Sequence, residues 1–110
     1  MPAMHDLILV QRLAESVANC EIFRPVLREL GDRNLDTSDL LDLIRKDLKE
    51  KHFKKSRPTL KHYEGTDSDY YSIWIEECDC HMFLKFLIHE GPSGSRLVIT
   101  SFRRDDSYGV

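Results

Sequence analysis

Three strand-like runs joined by connections too short for a crossover constrain this chain more than anything else in it. Residues 70–77 are aromatic and β-branched around the only tryptophan, residues 81–89 alternate, and residues 96–102 follow a Gly-Pro-Ser-Gly-Ser loop at 91–95. Parallel neighbours would need a dozen or more residues between them, so the three runs read as an antiparallel meander. The period of two then assigns faces. Met82, Leu84, Phe86 and Ile88 should meet a core, while His81, Phe83, Lys85, Leu87 and His89 make a mixed second face. In the third run both sets, Leu97/Ile99/Ser101 and Arg96/Val98/Thr100/Phe102, carry apolar residues, which predicts cover on both sides and a central position.

Ahead of the strands the apolar spacing is helical. Leu9, Val10, Leu13 and Val17 form a stripe over residues 4–19, with His5 a solvated side chain near its start. Pro25 opens a short helix that buries Val26, Leu27 and Leu30 and is ended by Gly31. Asp36 or Thr37 caps a third helix with Leu40, Leu43, Ile44 and Leu48 on one face. Residues 49–56 continue helically with Phe53 as their one apolar anchor, until Arg57-Pro58 stops them. Residues 21–23 are too short to assign, 59–69 form a loop suited to ligand contacts, and 105–110 read as a frayed tail. The expectation is a single α+β domain over residues 1–110, with N-terminal helices packed on a three-stranded antiparallel β-meander.

The formal net charge of −3 hides an asymmetry. Residues 45–61 hold eight Lys or Arg against two acids, a local +6, so the remainder sums to −9. Such an island is either a solvated helix face or an anion site, phosphate being the anion it fits best. No membrane span or secretory signal is expected, and the expected location is the cytoplasm. Three cysteines, two of them separated by one residue, read as reduced thiols. Cys78, Cys80 and His81 lack the spacing and the second ligand pair of a zinc site, so neither metal nor cofactor is expected.

Four pieces taken in order, FKKS (53–56), SIW (72–74), FLKF (83–86) and LVITSFRRD (97–105), resemble the MqsR family of bacterial toxins over residues 35–105. The resemblance implies a RelE-like fold, endonucleolytic cleavage of mRNA, and neutralisation by a cognate antitoxin protein. It implies active-site roles for Lys55, at the end of the basic segment, and Arg103, after Ser-Phe in the last strand. The chain departs from the family at two polar positions: the glutamine after the strand tryptophan is Ile75 here, and the tyrosine before Leu-Lys is Phe83.

RNA cleavage through the 2′-hydroxyl needs a base, cations to stabilise the phosphorane, and an acid for the leaving oxygen. Lys55 and Arg103 suit the cation role, since arginine stays protonated and lysine is a base only with a lowered pKa. His81, on the face of Phe83, is the substitute for proton transfer, with Glu76 and His62 as weaker candidates. Lys51, Lys54, Arg57, Lys61, Lys85 and Arg104 are the expected RNA-binding residues. Trp74 is expected in the core, and Tyr63, Tyr70 and Tyr71 where single-stranded bases could stack. Two readings stay open beside the nuclease. One is a toxin-like binding module without catalysis, for RNA or a protein; the other is a RelE-like toxin acting only on the ribosome.

Overall fold

The computed structural model describes residues 3–107. In order, the chain forms α1 (Leu7–Leu13), a 3₁₀ turn (Val17–Asn19), β1 (Cys20–Ile22), α2 (Arg24–Asp32) and α3 (Thr37–Asp42). A wide turn (Leu43–Asp47) and a 3₁₀ turn (Glu50–His52) lead into β2 (Phe53–Pro58), β3 (Asp67–Ile75), β4 (Cys80–Gly91) and β5 (Gly94–Arg104). The class is α+β. The expected meander is present as β3-β4-β5, but it is the middle of a five-stranded mixed sheet of order β1-β5-β4-β3-β2, with β1 parallel to β5. The added strands are the two the sequence hides: β1 has three residues, and β2 is the segment expected to be helical.

β2 forms because a helix there would have only Phe53 to bury. As an edge strand it sets Phe53 against Tyr71, ring centroids 5.6 Å apart, and gives the Ser56 hydroxyl to the buried Asp69 carboxylate. Its lysines and Pro58 are tolerable because no strand among the described residues pairs with its outer side, and they discourage edge-to-edge aggregation.

Helices cover one face of the sheet. Met82, Leu84, Phe86 and Ile88 lie there as the alternation predicts, together with Tyr71, Ile73, Ile75, Leu97, Ile99 and Phe102, against Val10, Val26, Leu30, Leu40 and Ile44. Tyr71 stacks on Phe86 at 5.2 Å and is buried, so it cannot receive a base. Burial raises its phenol pKa to about 12.

Local chemistry corrects several helix boundaries. α1 stops at Leu13 and buries Val10 with Ala14, leaving Val17 exposed. Gln11 spans to the next layer, donating from Nε2 to the carbonyls of Ile44 and Leu48 at 3.1 Å each. His5 is not merely solvated: its amide donates to Asp69 and its Nε2 meets the Asp67 carbonyl at 2.7 Å. Gly31 lies inside α2, and the left-handed residue beyond the helix is Asn34 (φ +59°), with Leu35 N–H returning to Leu30 C=O at 2.8 Å. Asp36 and Asp39 form a capping box at the start of α3, whose last turn widens so that Leu48 N–H reaches Leu43 C=O. Asp105 is buried rather than frayed, and residues 108–110 of that expected tail lie outside the described residues. No helix among the described residues is long and apolar enough to cross a membrane.

Candidate functional site

Strand register assembles the site on the face turned away from the helices. One cross-strand row runs Lys55–Tyr70–Lys85–Ser101, and the next runs Ser72–Phe83–Arg103. Side chains in adjacent rows of one face are neighbours. Lys55 Nζ lies 5.3 Å and Lys85 Nζ 5.5 Å from the Tyr70 ring centroid, and the Arg103 guanidinium lies 5.1 Å from that of Phe83. The two rings meet edge to face at 5.2 Å. These spacings are those of cation–π contacts, so the aromatic pair holds three cations around one patch.

The loop of residues 59–66 turns this open face into a cleft. It leaves the sheet at one edge, yet its residues reach the other: Tyr63 donates its hydroxyl to Glu21 on β1, and His62 packs edge-on against Phe23 at 5.6 Å. Tyr63 also lies 4.7 Å from the His89 ring. Crossing the sheet in this way covers Leu87 and Val98, which pair across β4 and β5 on the open face and are both fully buried. The part of the face left uncovered borders a cleft of about 650 Å³ lined by Lys55, Arg57, Lys61, Lys85, Tyr70 and His62, with no acidic residue on its lining among the described residues. His62 holds φ +65° at the loop's turn, and Leu60 projects from it 86% exposed.

Beside the cation patch, Lys85 and Asp105 are both shifted. Burial, and then the Arg103 charge beside it, push the Lys85 pKa down. That is the direction a lysine needs to accept a proton near neutrality. Below Arg103, burial would raise the Asp105 pKa, but the hydroxyls of Ser107 and Ser72 and the nearby Lys54 charge outweigh it and hold the carboxyl low. The Ser72 hydroxyl donates to Asp105 Oδ2 at 2.6 Å, and Asp105 N–H continues the β5–β4 pairing to the His81 carbonyl at 2.8 Å.

Of the residues expected from sequence, the fold brings Lys55, Arg57, Lys61, Lys85 and Arg103 to this face. Lys54 occupies the bulge before Lys55, where its charge reaches Asp105. Lys51 does not join them, lying in the 3₁₀ turn ahead of β2 and outside the cleft lining. Arg104 does not either: as the residue after Arg103 on a strand it points to the opposite face, 3.6 Å from Asp106. His81 sits one row beyond Phe83, its ring against Trp74 at 5.5 Å. Trp74 is 49% exposed rather than in the core, and Ile75 holds the core position instead. Glu76 lies in the turn Glu76–Cys78, away from the cleft. The residue that sequence reasoning undervalued is Lys85. Its position on the mixed face, shared with Phe83 and His81, was the available signal; that it stands opposite Tyr70 is a matter of strand register.

The arrangement defines a class: an open α+β sheet whose uncovered face carries an aromatic-floored cationic cleft. No protein-family model and no curated protein matches the chain. No group of three or more His, Cys, Asp or Glu side chains among the described residues is placed to hold a metal ion.

Proposed function

We propose that this protein is an endoribonuclease toxin of the MqsR kind, cutting single-stranded mRNA and held in check by an antitoxin. The observation that carries the reading is the convergence of Lys55, Lys85 and Arg103 around Tyr70 and Phe83. Three cations around two half-buried rings, in a cleft whose described lining carries no acid, suit a sugar-phosphate chain with splayed bases. In the proposed chemistry neutral Lys85 takes the 2′-hydroxyl proton and the 2′-oxygen attacks phosphorus. Arg103 and Lys55 stabilise the charge on the phosphorane, and the bond to the 5′-oxygen breaks with a 2′,3′-cyclic phosphate left behind. The leaving oxygen takes its proton from Tyr70 or His81. Tyr70 brings a phenol beside Phe83, the very position where the resembling family carries a tyrosine.

A second reading, a module that binds RNA without cutting it, is favoured by one feature: Ile75 is buried in the core, so nothing polar stands in for that family position. The deciding experiment maps the ends formed when purified protein meets a defined single-stranded RNA, alongside Lys55→Ala and Arg103→Ala. New 2′,3′-cyclic phosphate ends, absent with either variant and with RNA carrying a 2′-deoxy residue at the cut, are the expected result. Salt-sensitive binding without any new ends would point to the binding module or to a toxin that cuts only on the ribosome.

A further inference from the structure

β2 pairs with β3 only as far as Phe53 opposite Tyr71, whereas β4 continues to pair with β3 out to Ile75 opposite Cys80. On the side of β3 that β2 would have occupied, residues 72–75 therefore run on without a strand neighbour among the described residues. A bare strand edge presents alternate N–H and C=O groups that favour pairing. At its far end, where Trp74 and Ile75 run into Glu76 and Glu77, a groove of about 370 Å³ opens between β3 and the α3 layer. Among the described residues its lining is apolar at Leu35, Leu43, Ile75 and Trp74, and acidic at Asp39, Asp42, Asp47, Glu76 and Glu77 against the single base Lys46. Asp42 is engaged by Arg45 and Asp39 by the capping box, but Asp47, Glu76 and Glu77 form no salt bridge among the described residues.

We infer that this groove is a docking site for a basic, extended polypeptide segment, which adds as a strand to the free edge of β3. Main-chain hydrogen bonds to residues 72–75 supply the pairing. Alternate apolar side chains of the segment enter between Leu35, Leu43 and Trp74, while its Lys or Arg side chains face Asp47, Glu76 and Glu77. Charge complementarity chooses this occupant over RNA, which the acids repel, and over an acidic segment. The site is separate from the cationic cleft, so it does not depend on the nuclease reading.

The only tryptophan borders the groove and is half exposed, so its fluorescence reports occupation directly. The test titrates the protein with three short synthetic peptides: one alternating lysine and valine, its glutamate–valine counterpart, and the lysine–valine peptide N-methylated at consecutive amides. The expected result is a saturable blue shift with the first peptide alone. It should weaken about tenfold or more in the doubly charge-reversed Asp47→Lys/Glu76→Lys protein, and persist in Lys55→Ala. Both reversed positions are exposed, so circular dichroism should report an unchanged fold. An equal response to the glutamate peptide, an equal response to the N-methylated peptide, or no saturable response to the lysine peptide would each overturn the proposal.

Discussion

Lys85 concentrates the chemical question at the scale of one residue. Its neighbours are aromatic on one side and cationic on the other, and both burial and Arg103 favour its neutral form. Lys55 touches the same Tyr70 ring but is exposed, at the rim of the patch rather than within it. If Lys85 is the base, activity requires its deprotonated form, so kcat/KM should rise with pH and level off below the 10.5 of an ordinary lysine. Lys85→Arg keeps the charge but cannot deprotonate. It should bind RNA almost as well as the unaltered protein and cleave it about 10²- to 10⁴-fold more slowly, the usual contribution of a positioned base. Unaltered cleavage by Lys85→Arg in a pH-rate series would remove Lys85 from proton transfer and return that role to His81.

At the scale of elements, the legible parts were those whose determinants are local. The alternation Met82-Leu84-Phe86-Ile88 survives intact as the buried face of β4, and Asp36 caps α3 through its own side chain. The illegible parts depend on partners far along the chain. β1 exists because three residues near position 20 find β5, and β2 is a strand because Tyr71 and Asp69 receive Phe53 and Ser56. Asp69 is the joint on which this depends. Fully buried, its carboxylate accepts from the amides of Met4 and His5 at 2.9 and 2.8 Å as well as from Ser56, tying the N-terminal segment and the edge strand to β3. Asp69→Ala should cost about 3 kcal/mol, since hydrogen bonds to a charged group are each worth ~1.5–3 kcal/mol and some donors regain water. Hydrogen exchange should locate the loss: the amides of Met4 and His5 and those of β2 should lose protection before β4 does. A uniform loss across the sheet would mean that Asp69 is not a local fastener.

The whole molecule segregates charge on a chain whose net value is only −3. Among the described residues the cleft lining holds Lys55, Arg57, Lys61 and Lys85 without an acid, whereas the groove beside α3 gathers five acids around one lysine. The basic island was visible in the sequence; its division was not, because it depends on which way each strand residue points and where the loop of residues 59–66 comes to rest. That division makes the salt dependence of RNA binding a test of the fold's geometry as well as of function. Contacts from Lys55, Arg57, Lys61, Lys85 and Arg103 to phosphates of a single strand, at about 0.7 each, predict a slope of log K against log salt concentration of roughly −3 to −4. Alanine at any of the five should flatten the slope by about 0.7. Alanine at Lys51 or Arg104, equally basic in sequence but turned away from the cleft, should leave it unchanged in the same filter-binding or fluorescence-anisotropy series. A slope that responds to Lys51 and Arg104 as strongly as to Lys55 and Arg103 would mean that RNA senses a diffuse cloud of positive charge, and the cleft would lose its claim to be the interface.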